Sequence, residues 1–191
     1  MRGGAAILAR LRWIDDRIFW TGRLSRSEIS KAFSISITQA SIDISQYTRI
    51  APGNIVPHPD RSYGPSPTFT PLFPKEPRAF LEAAQCGAEG FPLRIERADD
   101  PWKDASLDVL AILVSAAVAK EPVDAATPAG RILLCPYRLI DDAGLLLVRG
   151  WNHHAGSVVV VSVADLSDLR RETGVPWIDA AADRPQAERV R

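Results

Sequence analysis

The chain has 191 residues, 46% of them hydrophobic, so it is a folded globular protein of one large or two small domains. Its longest apolar run, Val109 to Ala119, is too short to span a bilayer and Met1–Ala9 is no signal peptide, so the expectation is a cytoplasmic protein with no membrane role. Net charge is zero, yet residues 1–63 carry nine Lys/Arg against five Asp/Glu (+4) and residues 64–191 carry fourteen against eighteen (−4), so a mildly basic first third permits phosphate contact without proving it.

Ala5 to Trp20 places Ile7, Leu8, Leu11, Ile14 and Ile18 at helical spacing and predicts a first helix with one apolar stripe. Arg10 and Arg17 share the opposite side, where they are solvated or face phosphate. Thr21-Gly22 ends this helix, since glycine tolerates the left-handed backbone of a C-terminal cap.

Leu24 to Ala51 carries two helix-start signatures eleven residues apart, Ser25 with Glu28 and Ser36 with Gln39. Each fits a capping box, in which the serine takes the N3 backbone N–H and the N3 side chain reaches back. They predict a helix over about Arg26–Phe33, with Ile29, Ala32 and Phe33 inward, and another from after Ser36 to near Arg49, since Pro52 disfavours helix before it. Two short helices joined by Phe33-Ser34-Ile35 form a helix-turn-helix, a motif that places its second helix in the DNA major groove.

On a helical wheel Ile37, Ala40, Ile44 and Tyr47 fall on an inner arc of that second helix, and Thr38, Gln39, Ile42, Ser45, Gln46 and Arg49 on an outer one. A merely solvated face usually carries Lys and Glu pairs; this one carries hydroxyls, two amides, an arginine and an isoleucine. Gln39 or Gln46 can bond adenine at N6 and N7, Arg49 can reach guanine or phosphate, and Ile42 can touch a thymine methyl. With Ser36 at the helix start, these residues are the candidate DNA-binding set. Asn54 to His58 then predicts a short strand, Pro59-Asp60-Arg61-Ser62 a turn, and Tyr63 a return strand. A hairpin there is a wing, with Arg61 at its tip to touch phosphate or the minor groove. Pro57 needs an edge strand, and His58 is read as wing surface, not as a metal ligand.

Gly64 to Pro77 holds five prolines and predicts an extended, semi-rigid connector, with Phe69, Leu72 and Phe73 packing on a neighbour. Beyond it the pattern predicts a short helix over Arg78–Cys86, a strand over Phe91–Glu96, a turn at Asp99-Asp100-Pro101, and a buried helix over Leu107–Lys120 with Leu107, Leu110, Val114 and Val118 on one stripe. Ile132–Ile140, Leu145–Trp151 and Val158–Val163, joined by short turns, read as an antiparallel meander. Asp165–Glu172 reads as a helical turn and Asp179–Arg191 as a polar, frayed tail. Cys86 and Cys135 match no metal-ligand spacing and are expected as buried, reduced thiols.

The string Trp20-x-Gly22-x-Leu24-x-Arg26, Phe33-Ser34-Ile35-Ser36, Gln39-Ala40-Ser41-x-Asp43-Ile44-x-x-Tyr47, Ala51-Pro52-x-Asn54-Ile55, Tyr63 and Phe69-x-Pro71 resembles the winged helix-turn-helix end of WYL-domain transcriptional regulators of bacterial anti-phage defence operons, the CapW and BrxR type. The resemblance implies a homodimeric DNA-binding repressor whose WYL domain, a small Sm-like β-barrel, senses a ligand or nucleic-acid signal. Pro136-Tyr137-Arg138-Leu139-Ile140, Gly144 and Val148-Arg149-Gly150-Trp151 sit where that family has its meander. Leu146 and Leu147 replace its aromatic signature pair, and the chain ends without its further dimerisation domain, so the second half is expected to be a shortened, degenerate WYL-like domain.

No Gly-rich phosphate loop, His-Glu-x-x-His or nucleophile elbow is present, so no catalytic residues, metal ligands or cofactor are assigned. His153-His154 beside Asp141-Asp142 are read as turn residues, because adjacent histidines point apart. The expected architecture is α+β: a winged helix-turn-helix domain over residues 1–63, a connector over 64–77, a small antiparallel β-rich domain over 78–179 and a flexible tail over 180–191. The expected partners are double-stranded DNA, a second copy of the chain, and a small anionic or nucleotide effector held by Arg138 and Arg149. Two rival readings are a winged helix that docks a protein partner and a ligand-gated sensor built on that arginine pair.

Overall fold

The structure, a computed structural model, describes residues 2–76, 94–96, 106–142 and 145–179, and the chain divides into two compact units, Met1–Glu76 and Pro77–Arg191. The first contains α1 (Arg2–Thr21), α2 (Arg26–Phe33), α3 (Ile37–Ile50), β1 (Ile55–Pro57) and β2 (Tyr63–Pro65). Helix α1 stops where Gly22, at φ +66°, donates its N–H to the Ile18 carbonyl. Between α2 and α3 the chain turns on Ser34, a non-glycine residue in the left-handed region at φ +52°, and Ser30 Oγ donates to the Ile35 carbonyl at 2.6 Å across that turn.

Leu11, Ile14 and Ile18 of α1 meet Leu24, Ile29, Ala40, Ile44, Tyr47 and Ile55 in one core. Three side chains expected inward are exposed instead: Leu8 (44%), Ala32 and Ile37 (50%). On α3 the buried arc is rotated so that it takes in Asp43, which leaves Ile37 at its edge. A buried carboxylate is tolerated there because Arg10 neutralises it. Strands β1 and β2 pair antiparallel, and Leu24 bridges to Tyr63 on the other side of β2. That leaves β1 at the edge, where Pro57 costs no ladder bond.

The proline-rich stretch expected as a connector is part of this unit as far as Glu76. Gly64 and Pro65 lie in β2, Phe69 and Phe73 pack on the core, and the Asn54 side chain holds Thr70 by both its N–H (3.2 Å) and its carbonyl (2.7 Å). Leu72, expected to pack, is more than a third exposed.

The second unit contains β3 (Arg94–Glu96), α4 (Leu107–Ala119), β4 (Val123–Thr127), β5 (Gly130–Asp142), β6 (Leu145–Asn152), β7 (Ser157–Ser162), a 3-10 turn (Val163–Asp165) and β8 (Ser167–Arg171). The sheet order is β7-β6-β5-β4-β8, antiparallel throughout, with β3 added parallel to β5. The meander is therefore extended and mixed. β5 pairs with β4 over its first half and with β3 over its second, and its register against β6 shifts between Pro136 and Arg138. Residues 167–171, expected to be helical, form a strand on β4, and only 163–165 are helical. Ser-Asp-Leu-Arg-Arg has no alternation to announce a strand, which is held by ladder bonds and by Arg131 to Asp168 (2.9 Å). Helix α4 buries Leu110, Leu113 and Val114 together with Ser115, Ala116 and Ala117, a broader face than one stripe, while Leu107 is exposed. The helix expected over 78–86, the turn at 99–101, Cys86 and the tail over 180–191 lie outside the described residues.

Candidate nucleic-acid interface

Local hydrogen bonds set the entry and exit of α3. At α2 the capping box is complete: Glu28 N–H donates to Ser25 Oγ at 3.2 Å and Ser25 N–H to Glu28 Oε2 at 2.7 Å. Glu28 Oε1 accepts from Arg17 at 2.6 Å, so Arg17 is an internal brace between α1 and α2, not a phosphate ligand in waiting. At α3 only half the expected box forms. Gln39 N–H donates to Ser36 Oγ at 3.1 Å, but the Gln39 side chain turns away and donates to Asp43 Oδ1 at 3.0 Å. Asp43 is held two-pronged by Arg10, Nε to Oδ2 at 2.6 Å and Nη2 to Oδ1 at 3.1 Å. Arg10, expected at the surface, is thus also internal.

Behind α3 lies a second polar knot. The buried Asp15 carboxylate accepts from Tyr47 Oη (2.5 Å), from the backbone N–H groups of Leu72 and Phe73, and from Lys75 Nζ (2.5 Å). Asn54 Nδ2 donates to Tyr47 Oη at 3.3 Å. Burial, then the bond to Asp15, pushes the Tyr47 hydroxyl well above its usual pKa. These partners pin α3 to α1 and to the chain after the wing.

With its inner side fixed, α3 turns Thr38, Ser41, Ile42, Ser45, Gln46 and Arg49 into the lining of one shallow, open groove. Five of these are in the candidate set; Ser41 was missed, although its i+4 spacing to Ser45 puts it on the same side. Ile42 is 53% exposed, and Arg49 lies in the last turn, where a cation suits the helix dipole. Ser41 and Ser45 Oγ each donate to the carbonyl four residues earlier, at 3.0 and 2.9 Å. Both oxygens keep lone pairs for an incoming donor. Ser36 is the helix cap and Gln39 the flank of this face, so neither lines the groove.

At the wing, Asp60 Oδ1 accepts from Ser62 N–H and Oγ, and Oδ2 pairs with Arg23 at 2.7 Å. The Ser62 bonds, more than Arg23, hold the Asp60 carboxyl below its usual range. This Asx turn leaves Arg61 exposed at the tip with φ +66°. Arg26 braces the wing from α2, its guanidinium 5.2 Å above the Tyr63 ring and bonded to the Tyr63 hydroxyl.

In the second unit Arg138 and Arg149 are directly opposite on β5 and β6, and Arg149 Nε donates to Tyr137 Oη at 3.2 Å. His153 and His154 do point apart: His153 Nε2 is 3.4 Å from the buried Cys135 thiol, and His154 Nδ1 is 3.3 Å from the Arg131 carbonyl. Burial raises the Cys135 thiol above its usual pKa. Among the described residues no helix is long and apolar enough to cross a membrane.

Residues 6–81 match the BrxR transcriptional regulator winged helix-turn-helix domain. The chain is 40% identical over 65 residues to the DNA-binding transcriptional repressor CapW of Escherichia coli strain KTE188, a match covering 34% of this chain and 22% of that protein. It is 38% identical over 66 residues to CapW of Pseudomonas aeruginosa (34% and 22%) and 36% identical over 83 residues to CapW of Stenotrophomonas maltophilia (42% and 28%). The matches span under a third of these relatives' length. In sequence as in geometry, the first unit is a winged helix-turn-helix similar to that of BrxR regulators and to the corresponding stretch of CapW repressors.

Proposed function

We propose that this chain is a sequence-specific regulator of transcription that binds double-stranded DNA, acting in the cytoplasm as a homodimeric repressor on an inverted repeat. The carrying observation is the outward face of α3: hydroxyls, an amide, an isoleucine and one arginine lining one groove, with the braced wing on the same unit. Such a face offers hydrogen bonds and methyl contact to base edges, while Arg49 and Arg61 supply phosphate contact. A second copy follows from the usual symmetry between such proteins and their operators.

A labelled fragment of the chain's own promoter, or of a neighbouring defence operon, is expected to shift in a gel and to lose affinity steeply with salt. Gln39→Ala with Gln46→Ala is expected to abolish preference for the specific site while leaving weak nonspecific binding. Arg61→Ala is expected to weaken all sequences alike and to lower the salt slope by about 1. A protein that purifies free of nucleic acid and shifts no fragment at low salt rejects this reading and favours docking of a protein partner.

The opposed Arg138 and Arg149 support an anionic or nucleotide effector for the second unit. Two guanidinium groups in direct register on neighbouring strands are the donor set that a phosphate or carboxylate recognises. A thermal shift with nucleotides that disappears in Arg149→Ala is the expected result. An equal shift in the variant removes the arginine from the site.

A further inference from the structure

We propose that Asp43 and Arg10 are positioning residues that set the Gln39 amide to read an adenine at one position of the bound duplex. The inference rests on the DNA-binding reading above.

Asp43 lies on the inward flank of α3, its side chain 1% exposed, and both its oxygens are engaged by Arg10 of α1. Paired in this way, with both oxygens accepting from a group that can only donate, the carboxylate presents acceptors to its neighbours. The Gln39 amide can therefore face it only through nitrogen, as the 3.0 Å bond from Nε2 to Oδ1 has it. A flipped amide would set its carbonyl oxygen against the carboxylate. One of the two N–H groups is thus committed inward. What Gln39 offers outward is one N–H beside one carbonyl oxygen.

That pair complements adenine, whose major-groove edge sets the N7 acceptor beside the N6 donor. Guanine presents two acceptors, thymine an acceptor and a methyl, and cytosine a donor alone. Gln39 also stands in the first turn of α3, the part of a recognition helix that meets base edges. Because Arg10 belongs to α1, the amide is referenced to the core of the unit and not to a freely rotating side chain. Its rotamer is fixed before DNA arrives, so less order remains to be imposed on binding. If the Gln39–Asp43 bond only stabilised the helix, losing it would weaken every sequence alike.

The test selects duplexes from a random pool with the full chain, then measures the affinity for all four bases at each enriched position. Wild type, Gln39→Ala, and the paired variant Arg10→Met with Asp43→Leu, which removes both buried charges together, are compared. The expected result is an adenine preference of about 5- to 150-fold at one position that both variants lose, with preferences elsewhere retained. Replacing that adenine by 7-deazaadenine should weaken wild type and leave Gln39→Ala unchanged. If melting shows the first pair unfolded, Arg10→Gln with Asp43→Ala carries the same comparison. Retention of the adenine preference by a folded Asp43 variant overturns the positioning role, and its retention by Gln39→Ala overturns the inference at the base-reading step. No enrichment of any duplex rejects DNA recognition itself, and this inference with it.

Discussion

Asp15 shows how much one residue can decide in a small domain. Its carboxylate is fully buried and collects Tyr47, two backbone N–H groups and Lys75, itself only 3% exposed. Asp15→Ala would leave the Lys75 ammonium buried without its main counter-charge, so a loss of about 3–5 kcal/mol is expected in chemical denaturation. Lys75→Met is expected to cost less, since the other donors to Asp15 remain. Tyr47 adds a pH signature. Its hydroxyl keeps its proton in the folded state at pH values where the unfolded chain has lost it. Stability from this group is thus fully present below about pH 10 and falls as pH rises beyond that value. Melting curves between pH 8 and 11 should show that fall in wild type and a shallower one in Tyr47→Phe, which loses stability at neutral pH through the orphaned Asp15 and Asn54 bonds.

At the scale of elements, helix boundaries follow closely from local chemistry. The limits of α2 coincide with those expected, and α3 ends one residue later than Arg49. Strands were legible where both faces are apolar, as in β5, β6 and β7. They were illegible in β8, where pairing makes the strand, and in β4, where only Val123 and Ala125 of a short Ala-rich run turn inward. Gly150 marks a tight contact in the sheet: a Cβ there would stand 2.6 Å from the Cys135 carbonyl oxygen and 2.6 Å from Leu134 Cδ1. Backbone cannot yield as a side chain can, so Gly150→Ala is expected to destabilise the second unit by about 1–3 kcal/mol. At Gly64 the atoms nearest the same addition belong to the His58 ring, 2.2 Å away at Nε2, on an exposed side chain that can swing aside. Gly64→Ala should be much the milder of the two in a melting comparison.

For the whole molecule, the boundary at Glu76 has a practical consequence. The proline-rich stretch is tied to α1 and Asn54 by its own backbone, so a fragment cut at the helix-turn-helix and wing alone would lose those bonds. A fragment ending at Glu76 is expected to unfold cooperatively by circular dichroism, and one ending at Tyr63 to be markedly less stable. If the reading of DNA is right, the longer fragment retains salt-sensitive binding, measured by fluorescence anisotropy. Weaker affinity for an inverted repeat than the full chain shows would indicate that the second unit supplies dimer contacts.

The sequence by itself determined the helix-turn-helix, the wing and the outward position of Thr38, Ile42, Ser45, Gln46 and Arg49. Caps, periodicity and turn residues act over a few neighbours and need no distant partner. Tertiary structure alone decided which charges are internal. Arg10 with Asp43 and Asp15 with Lys75 lie 33 and 60 residues apart, and no local pattern separates a buried ion pair from a solvated one. For the same reason the half-made capping box at Ser36 was unreadable. Gln39 had two local partners within reach, Ser36 N–H by the capping rule and Asp43 one turn further along α3, and Arg10, 33 residues away, tips that choice by drawing the Asp43 carboxylate inward through both its oxygens.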